Sequence, residues 1–220
     1  MTDDRRPPAL ASRYRLLIFD FDGTLADTFP WFLGCVNEAA ARFRFRPIAQ
    51  DEVEQLRRYG ARQLMRHLQV SPWKVPLIAR WMRQRMAAEL DRVPLFPGVD
   101  ALLETLAARG VLLVVVSSNS AATIRRALGP RHSALLRHVE GGVSLFGKAR
   151  RLRRVVRACG VDPAEVLCIG DELRDAQAAR RARLDFGAVA WGYTHPEALR
   201  AERPARFFSS VDEVLATLAP

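Results

Sequence analysis

Arg15-Leu-Leu-Ile-Phe-Asp20-Phe-Asp22-Gly-Thr24 is the stretch on which the reading of this 220-residue chain turns. It enters polar, runs through four apolar residues and ends on an acid, the pattern of a short buried strand. Residues two apart on a strand point the same way, so Asp20 and Asp22 share one side and Phe19 and Phe21 take the other. Gly23 then permits a turn that brings backbone close to a ligand. Two acids this close repel, and both stay ionised only where a cation or donors compensate them. The plainer reading is a solvated turn capped by Asp, which the apolar run ahead of it weakens.

Four further segments behave as strands: Val111–Val116, Val166–Ile169, Phe186–Ala190 and Ala205–Phe208. Between them lie helical patterns over Val99–Arg109, Ala121–Leu128, Ala149–Cys159, Leu173–Ala182, Glu197–Ala201 and Val211–Leu218, with turn signals at Gly110, Gly129-Pro130 and Gly160. This alternation predicts an α/β fold with a doubly wound, Rossmann-like parallel sheet. It is interrupted once. Residues 28–93 carry only helical patterning, rich in Trp31, Phe32, Trp73, Trp81, Met82 and Met86, with turns at Pro47, Tyr59-Gly60 and Ser71-Pro72. Those aromatic and Met side chains read as the core of a small helical cap inserted after the first strand. The expected organisation is a flexible tail over 1–14, a core from 15–27 and 94–220, and the cap over 28–93.

Composition excludes more than it names. Thirty-four basic against 24 acidic residues give +10, and all but Lys74 and Lys148 of the basic residues are Arg. Clustered cations bind phosphate backbones, yet these are spread from Arg5 to Arg206 among acids, with no aromatic-studded basic stripe. A general preference for Arg over Lys accounts for them, and nucleic acid is not the expected partner. The longest apolar run, Val111 to Val116, is six residues, far short of the ~20 that cross a bilayer. Met1 to Pro8 lacks the apolar segment of a secretory signal, so a cytoplasmic protein is expected. Cys35, Cys159 and Cys168 form no Cys-x-x-Cys pair and the four His show no zinc spacing; Cys159 and Cys168 read as buried reduced thiols.

In open α/β sheets ligands bind beyond the carboxyl ends of the strands. The apolar runs lead in turn into Asp20 and Asp22, into Ser117 and Ser118, and into Asp171 and Asp175. Asp171 and Asp175 lie four apart, one above the other on a first helical turn; acids there also serve simply as caps and dipole partners. Taken together, the carboxylates make an oxygen cage suited to Mg²⁺. Ser117-Ser-Asn119-Ser120 offers hydroxyls and N–H groups at a helix start, either an anion site or an ordinary cap. Lys148 keeps a compact ammonium in a chain that elsewhere uses Arg, which suggests a place where a guanidinium fork would not serve.

Asp20-Phe-Asp-Gly-Thr-Leu-Ala-Asp27, Ser117-Ser-Asn119, Phe146-Gly-Lys148 and Gly170-Asp-Glu-Leu-Arg-Asp175 together resemble the four ordered motifs of the haloacid dehalogenase superfamily. Leu95-Phe-Pro-Gly98 and Ala190-Trp-Gly-Tyr193 are similar to its phosphoglycolate-phosphatase-like branch. The resemblance covers about residues 15–215; the cap matches only in size, position and helical character. It implies a Mg²⁺-dependent phosphatase of a small phosphorylated metabolite, working through an aspartyl-phosphate. Asp20 would be nucleophile and metal ligand, and Asp22 the acid and base whose carbonyl touches the metal. Thr24 would sit at the substrate, Ser118 and the Asn119 N–H would hold a phosphoryl oxygen, and Lys148 would neutralise charge. Asp171 and Asp175 would complete the metal set. Asp22 argues against the dehalogenase branch, which does without an acid at that position.

A phosphosugar mutase or nucleotide pyrophosphatase on the same fold, and a basic binding module without catalysis, are the alternatives. Arg58 and Arg62, around the Gly60 turn, reach toward a substrate carboxylate or second phosphate in one reading and form a solvated helix end in the other.

Overall fold

The computed structural model describes residues 13–143 and 147–218, so residues 1–12 of the expected tail, and Phe146, lie outside it. Among the described residues the strands are β1 (Leu16–Phe19), β2 (Leu112–Val116), β3 (Leu136–Glu140), β4 (Val166–Gly170), β5 (Asp185–Val189) and β6 (Arg206–Phe208). All pair parallel in one sheet of order β3-β2-β1-β4-β5-β6. This is the doubly wound order, and its direction of winding reverses between β1 and β4. The side-chain alternation of β1 explains its apolar run: Leu17 and Phe19 join one buried cluster and Leu16 and Ile18 another. On the first face pack α5 (Val99–Ala108), α6 (Ala121–Leu135) and α10 (Val211–Leu218); on the second, α7 (Lys148–Cys159), α8 (Leu173–Ala182) and α9 (Pro196–Ala201).

β3 has no counterpart in the expected strands. Leu136-Arg-His-Val-Glu140 is an edge strand with Arg137 and His138 exposed, and charge on an edge discourages pairing with other chains while hiding the strand from an apolar-run search. The break expected after Leu128 is real but is a kink: Gly129 takes φ 69°, ψ 171°, and Pro130 starts a further helical stretch to Leu135. Asp171 precedes α8 rather than lying on its first turn, with Glu172 as the N-cap.

Between β1 and α5 the regular elements are all helical: α1 (Phe29–Phe43), α2 (Val53–Leu56), α3 (Ala61–His67) and α4 (Val75–Ala88), with short 3₁₀ turns among them. The two linkers of this insertion run side by side. Ala26 bridges Leu95, the Asp27 N–H donates to Pro94 O at 2.9 Å, and the Phe96 N–H to Leu25 O at 2.9 Å. Val36, Ile48, Leu56 and Leu68 form a small core within the insertion, whereas Met86 and Leu90 belong to the main one. The expected aromatic and Met core is only partly that, since Trp73 is 69% exposed. Cys35 and Cys168 are buried and Cys159 half-buried, all three free thiols; burial pushes the Cys168 thiol up to about 12, which makes it unreactive. No helix among the described residues is long and apolar enough to cross a membrane.

Leu17, fully buried in the central strand, sets one stability prediction: Leu17→Ala lowers the unfolding free energy by roughly 2–5 kcal/mol. Arg137→Ala on the exposed edge changes it by about 0.5 kcal/mol or less, both read by urea denaturation. A second concerns pH. Glu52 accepts from Arg46 Nη2 at 2.7 Å and from the Ala49 N–H at 2.8 Å, and the Arg46 bonds, then the Ala49 bond, lower its pKa from 4.5 to about 2. A carboxylate with a depressed folded pKa contributes stability above its unfolded pKa and loses it as pH falls through the folded one. Glu52→Gln should therefore melt below the parent at pH 7, with the gap closing between about pH 4.5 and 2.

Candidate active site

The winding reversal opens a crevice beyond the carboxyl ends of β1 and β4, and the chain fills it with acid. Asp20 follows β1 and Asp171 follows β4; Asp175, at N3 of α8, reaches in from the side. All three are buried, and they offer carboxylate oxygens within 4.8 Å of one another. Burial raises the Asp20 pKa, Lys148 opposes that, and Asp175 adds to it; Asp171 is raised further, by burial and then by Glu172 and Asp175.

Lys148, the first residue of α7, places Nζ 3.1 Å from Asp20 Oδ1 and 2.7 Å from Asp175 Oδ1. Burial alone would favour the neutral amine, but Asp175 and Asp20 hold it firmly charged. Asp175 serves two purposes, because its Oδ2 also accepts the Glu172 N–H at 3.1 Å and so caps α8. The same carboxylate thus caps the helix and meets the Lys148 ammonium. Asp171 is braced by Thr24 Oγ1 at 2.7 Å and the Tyr193 N–H at 2.8 Å. The Thr24 hydroxyl is thus committed to Asp171 and positions it, where contact with substrate was expected.

Glycines press on Asp171 from two sides. A Cβ on Gly23, which has φ +70°, would fall 2.3 Å from Asp171 Oδ2; one on Gly192 would fall 2.3 Å from Asp171 Cβ and 2.4 Å from Gly23 O. Asp20 Oδ2 is buried and has no hydrogen-bond partner among the described residues. An unsatisfied buried carboxylate oxygen calls for an explanation, and a cation held with Asp171 and Asp175 supplies one. The donors are all hard oxygens, which fits Mg²⁺.

Asp22 lies outside this cluster of three. Its carboxylate accepts from Asn119 Nδ2 at 2.9 and 3.0 Å and from Ser117 Oγ at 3.3 Å, and burial, then the Asp20 charge, lift its pKa to about 7. Ser117 Oγ in turn accepts the Asn119 N–H at 3.1 Å. Here the structure departs from expectation: the Asn119 N–H is turned inward to Ser117, and its side chain goes to Asp22. Ser120 caps α6 through the Thr123 N–H at 3.0 Å. Ser118, half-buried, lines the cavity above the site.

Arg58 and Arg62 are not among the residues lining that cavity. Arg58 bonds Glu197 at 2.6 Å and His195 at 3.2 Å, and Arg62 is exposed. Their neighbour Arg57 is the one that turns inward, donating to Gly192 O at 2.9 Å and Tyr193 O at 3.0 Å. Glu172 and Arg174, paired at 2.5 Å, also line the cavity, and Arg174 sets a second positive charge near Asp20. These two stand between Asp171 and Asp175 in sequence, and their alternating charge was the available signal. Tyr193 lies in the loop after β5, and the Ala190-Trp-Gly-Tyr193 motif was its signal.

Buried carboxylates thus face an ammonium at the switch point of a doubly wound sheet, the place where such folds bind their ligands. Residues 17–189 match the family model described as haloacid dehalogenase-like hydrolase. A phosphoglycolate phosphatase of Synechococcus elongatus is 34% identical over 200 residues, 90% of this chain and 94% of that one. An N-acetylmuramic acid 6-phosphate phosphatase of Pseudomonas aeruginosa is 28% identical over 211 residues, 90% of each. Among solved structures, CbbY from Rhodobacter sphaeroides in complex with phosphate has the same fold, with a TM-score of 0.73 at 24% identity over 93% of this chain and 99% of that one. The chain belongs to the haloacid dehalogenase-like hydrolases, in their phosphoglycolate-phosphatase-like branch, and is a phosphoric monoester hydrolase.

Gly192 has no positive φ that would strain an alanine, so Gly192→Ala acts by pressing its added carbon on Asp171 and on the Gly23 carbonyl. Displacing Asp171 by about an ångström should cut phosphate release on the order of 100-fold with circular dichroism unchanged. Gly34→Ala, in α1 with nothing within 4 Å of the added carbon, should leave activity intact and gain up to about 1 kcal/mol of stability.

Proposed function

We propose that the protein is a Mg²⁺-dependent phosphatase of a small phosphate monoester, working through a phosphorylated Asp20. The observation that carries the reading is the pair of Asp20 oxygens: Oδ1 held by Lys148 at 3.1 Å, Oδ2 buried without a partner among the described residues, beside Asp171 and Asp175. Asp20, Asp171, Asp175 and the Asp22 carbonyl would hold the metal, and a bound Mg²⁺ would neutralise charge on the phosphoryl oxygens and the acids around them.

Asp20 attacks phosphorus, forming a carboxylate–phosphorus bond as the ester bond breaks. Asp22, held in place by Asn119 and Ser117, gives its proton to the departing alcohol. Water then attacks the same phosphorus, Asp22 takes a proton from it, and Asp20 is released along with phosphate. Lys148 stabilises the negative charge throughout, and the Ser118 hydroxyl, on the cavity wall, holds a phosphoryl oxygen. In this reading residues 28–93 form the cap over a core of 15–27 and 94–220. The substrate is a phosphorylated metabolite of the cytoplasm, and phosphoglycolate, on which the Synechococcus relative acts by name, is the first ester to test.

Asp20→Asn should reduce phosphate release at least about 10³-fold and abolish the phosphoryl label that a rapid acid quench leaves on the wild-type chain. Chelation should silence the enzyme and Mg²⁺ restore it. Full activity of Asp20→Asn, or activity indifferent to chelation, sinks the reading. Phosphorus NMR of the products separates phosphate release from transfer between hydroxyls and from pyrophosphate cleavage.

A further inference from the structure

The cavity above the acids is much larger than phosphoglycolate requires, and its chemistry is different. It measures about 600 Å³, within the range of sites for whole small-molecule ligands. Its polar groups gather at the end toward the core: Asp22, Ser118, Asn119, Glu172, Arg174 and Thr194. Most of the rest of the wall comes from the helical insertion and is largely apolar, including Phe32 of α1, Leu64 of α3, and Ile78 and Met82 of α4. Among the described residues, the only charged side chains that the insertion adds to the wall are Arg57, already tied to two backbone carbonyls, and Arg83. Arg58, the cation expected to meet a substrate carboxylate, is engaged with Glu197 and His195 instead.

We infer that this chamber takes the alcohol portion of the ester, and that the preferred substrate carries a large apolar leaving group, aromatic or branched-aliphatic, in place of a short carboxylate such as glycolate. The inference rests on the phosphatase reading above, because it is Asp22, at the cavity's polar end, that would protonate the departing alcohol. With the phosphoryl group at the acids, the leaving oxygen faces Asp22 and the carbons beyond it enter the apolar space. Each carbon buried there is removed from water, so specificity rises with chain length. Beside that apolar area, Arg83 is, among the described residues, the one cation of the insertion's wall not already tied to backbone carbonyls.

The test uses the full chain with Mg²⁺ and a series of primary alkyl phosphates, ethyl to hexyl, with 2-phenylethyl phosphate and phosphoglycolate alongside. The leaving alcohols of the alkyl series differ little in acidity, so a rise reports binding and not leaving-group chemistry. We expect kcat/KM to climb about threefold to fourfold per methylene, on the order of 100-fold from ethyl to hexyl. Met82→Gln and Ile78→Gln, which put an amide on the wall, should flatten that slope; Met82→Trp, which fills space without adding charge, should shift the optimum to shorter chains. Leu77→Gln, on the same helix but 49% exposed and not part of the wall, should change nothing.

Binding of ethyl- and hexylphosphonate, followed by calorimetry, gives a readout free of turnover: the hexyl compound should bind more tightly and with a more negative heat-capacity change. A flat or falling series in both assays, or phosphoglycolate outperforming hexyl phosphate, overturns the inference and leaves the phosphatase reading standing. Chain-length-dependent phosphonate binding with no Mg²⁺-dependent hydrolysis of any ester does the reverse.

Discussion

Mutual repulsion among buried carboxylates is the constraint on which this structure depends. Asp20, Asp171 and Asp175 bring oxygens within 4.8 Å of one another out of contact with water, an arrangement that by itself drives protons onto the acids. Lys148 bonds two of them directly and Arg174 adds charge from the rim. Buried ion pairs contribute little net stability beside apolar packing. The site is therefore held in place by its surroundings: the fully buried strands β1, β2 and β4, whose side chains fill both faces of the sheet.

The winding of the sheet says where such a cluster can be placed. Loops after β1 and β4 diverge, leaving a crevice, and close approach there needs residues without side chains. Gly23 and Gly192 meet Asp171, and a Cβ on Gly170 would lie 2.6 Å from Asp175 Oδ2. The helical insertion leaves from this same loop. Asp22 bridges Ala26, Ala26 bridges Leu95, and Arg57 returns from the insertion to the carbonyls of Gly192 and Tyr193. Arg57 of the insertion thus touches the backbone that braces Asp171, and the loop that carries Asp22 leads directly into the insertion.

Much of this was legible from residue pattern, and the failures share a cause. β1, β2 and β4 are buried on both faces and appear as apolar runs, each ending next to a residue of the site. β3 is an edge, half its side chains solvated, so periodicity cannot find it. Asp20, Asp22, Lys148, Asp171 and Asp175 were nameable because acids and a lone ammonium at strand ends are chemically conspicuous. Thr24 and the Asn119 N–H were nameable too, but what they donate to was not. Whether a hydroxyl faces substrate or a neighbouring carboxylate depends on a few ångströms between segments 147 residues apart. The Arg57–Arg58–Arg62 group shows the same limit. Sequence marks a cationic turn at Gly60, and only tertiary packing decides that Arg57 is the one turned inward while Arg58 bonds Glu197.

The two lysines bring composition and site together. In a chain with +10 formal charge, the local charge of the catalytic crevice is dominated by acid, so the excess of Arg says little about what binds there. Lys148 spans Asp20 and Asp175. Lys74 donates to Phe43 O at 2.8 Å and Arg44 O at 3.4 Å, at the carbonyl end of α1, where partial negative charge collects. Each sits where oxygens converge on a point from different directions. A compact ammonium, with its three donors, meets that geometry; a planar guanidinium, built to grip two oxygens side by side, does so poorly. Arg174, by contrast, meets a single carboxylate, that of Glu172, through one terminal nitrogen. Both ammonium groups thus occupy places whose oxygen geometry suits them, which the count of two lysines alone does not show.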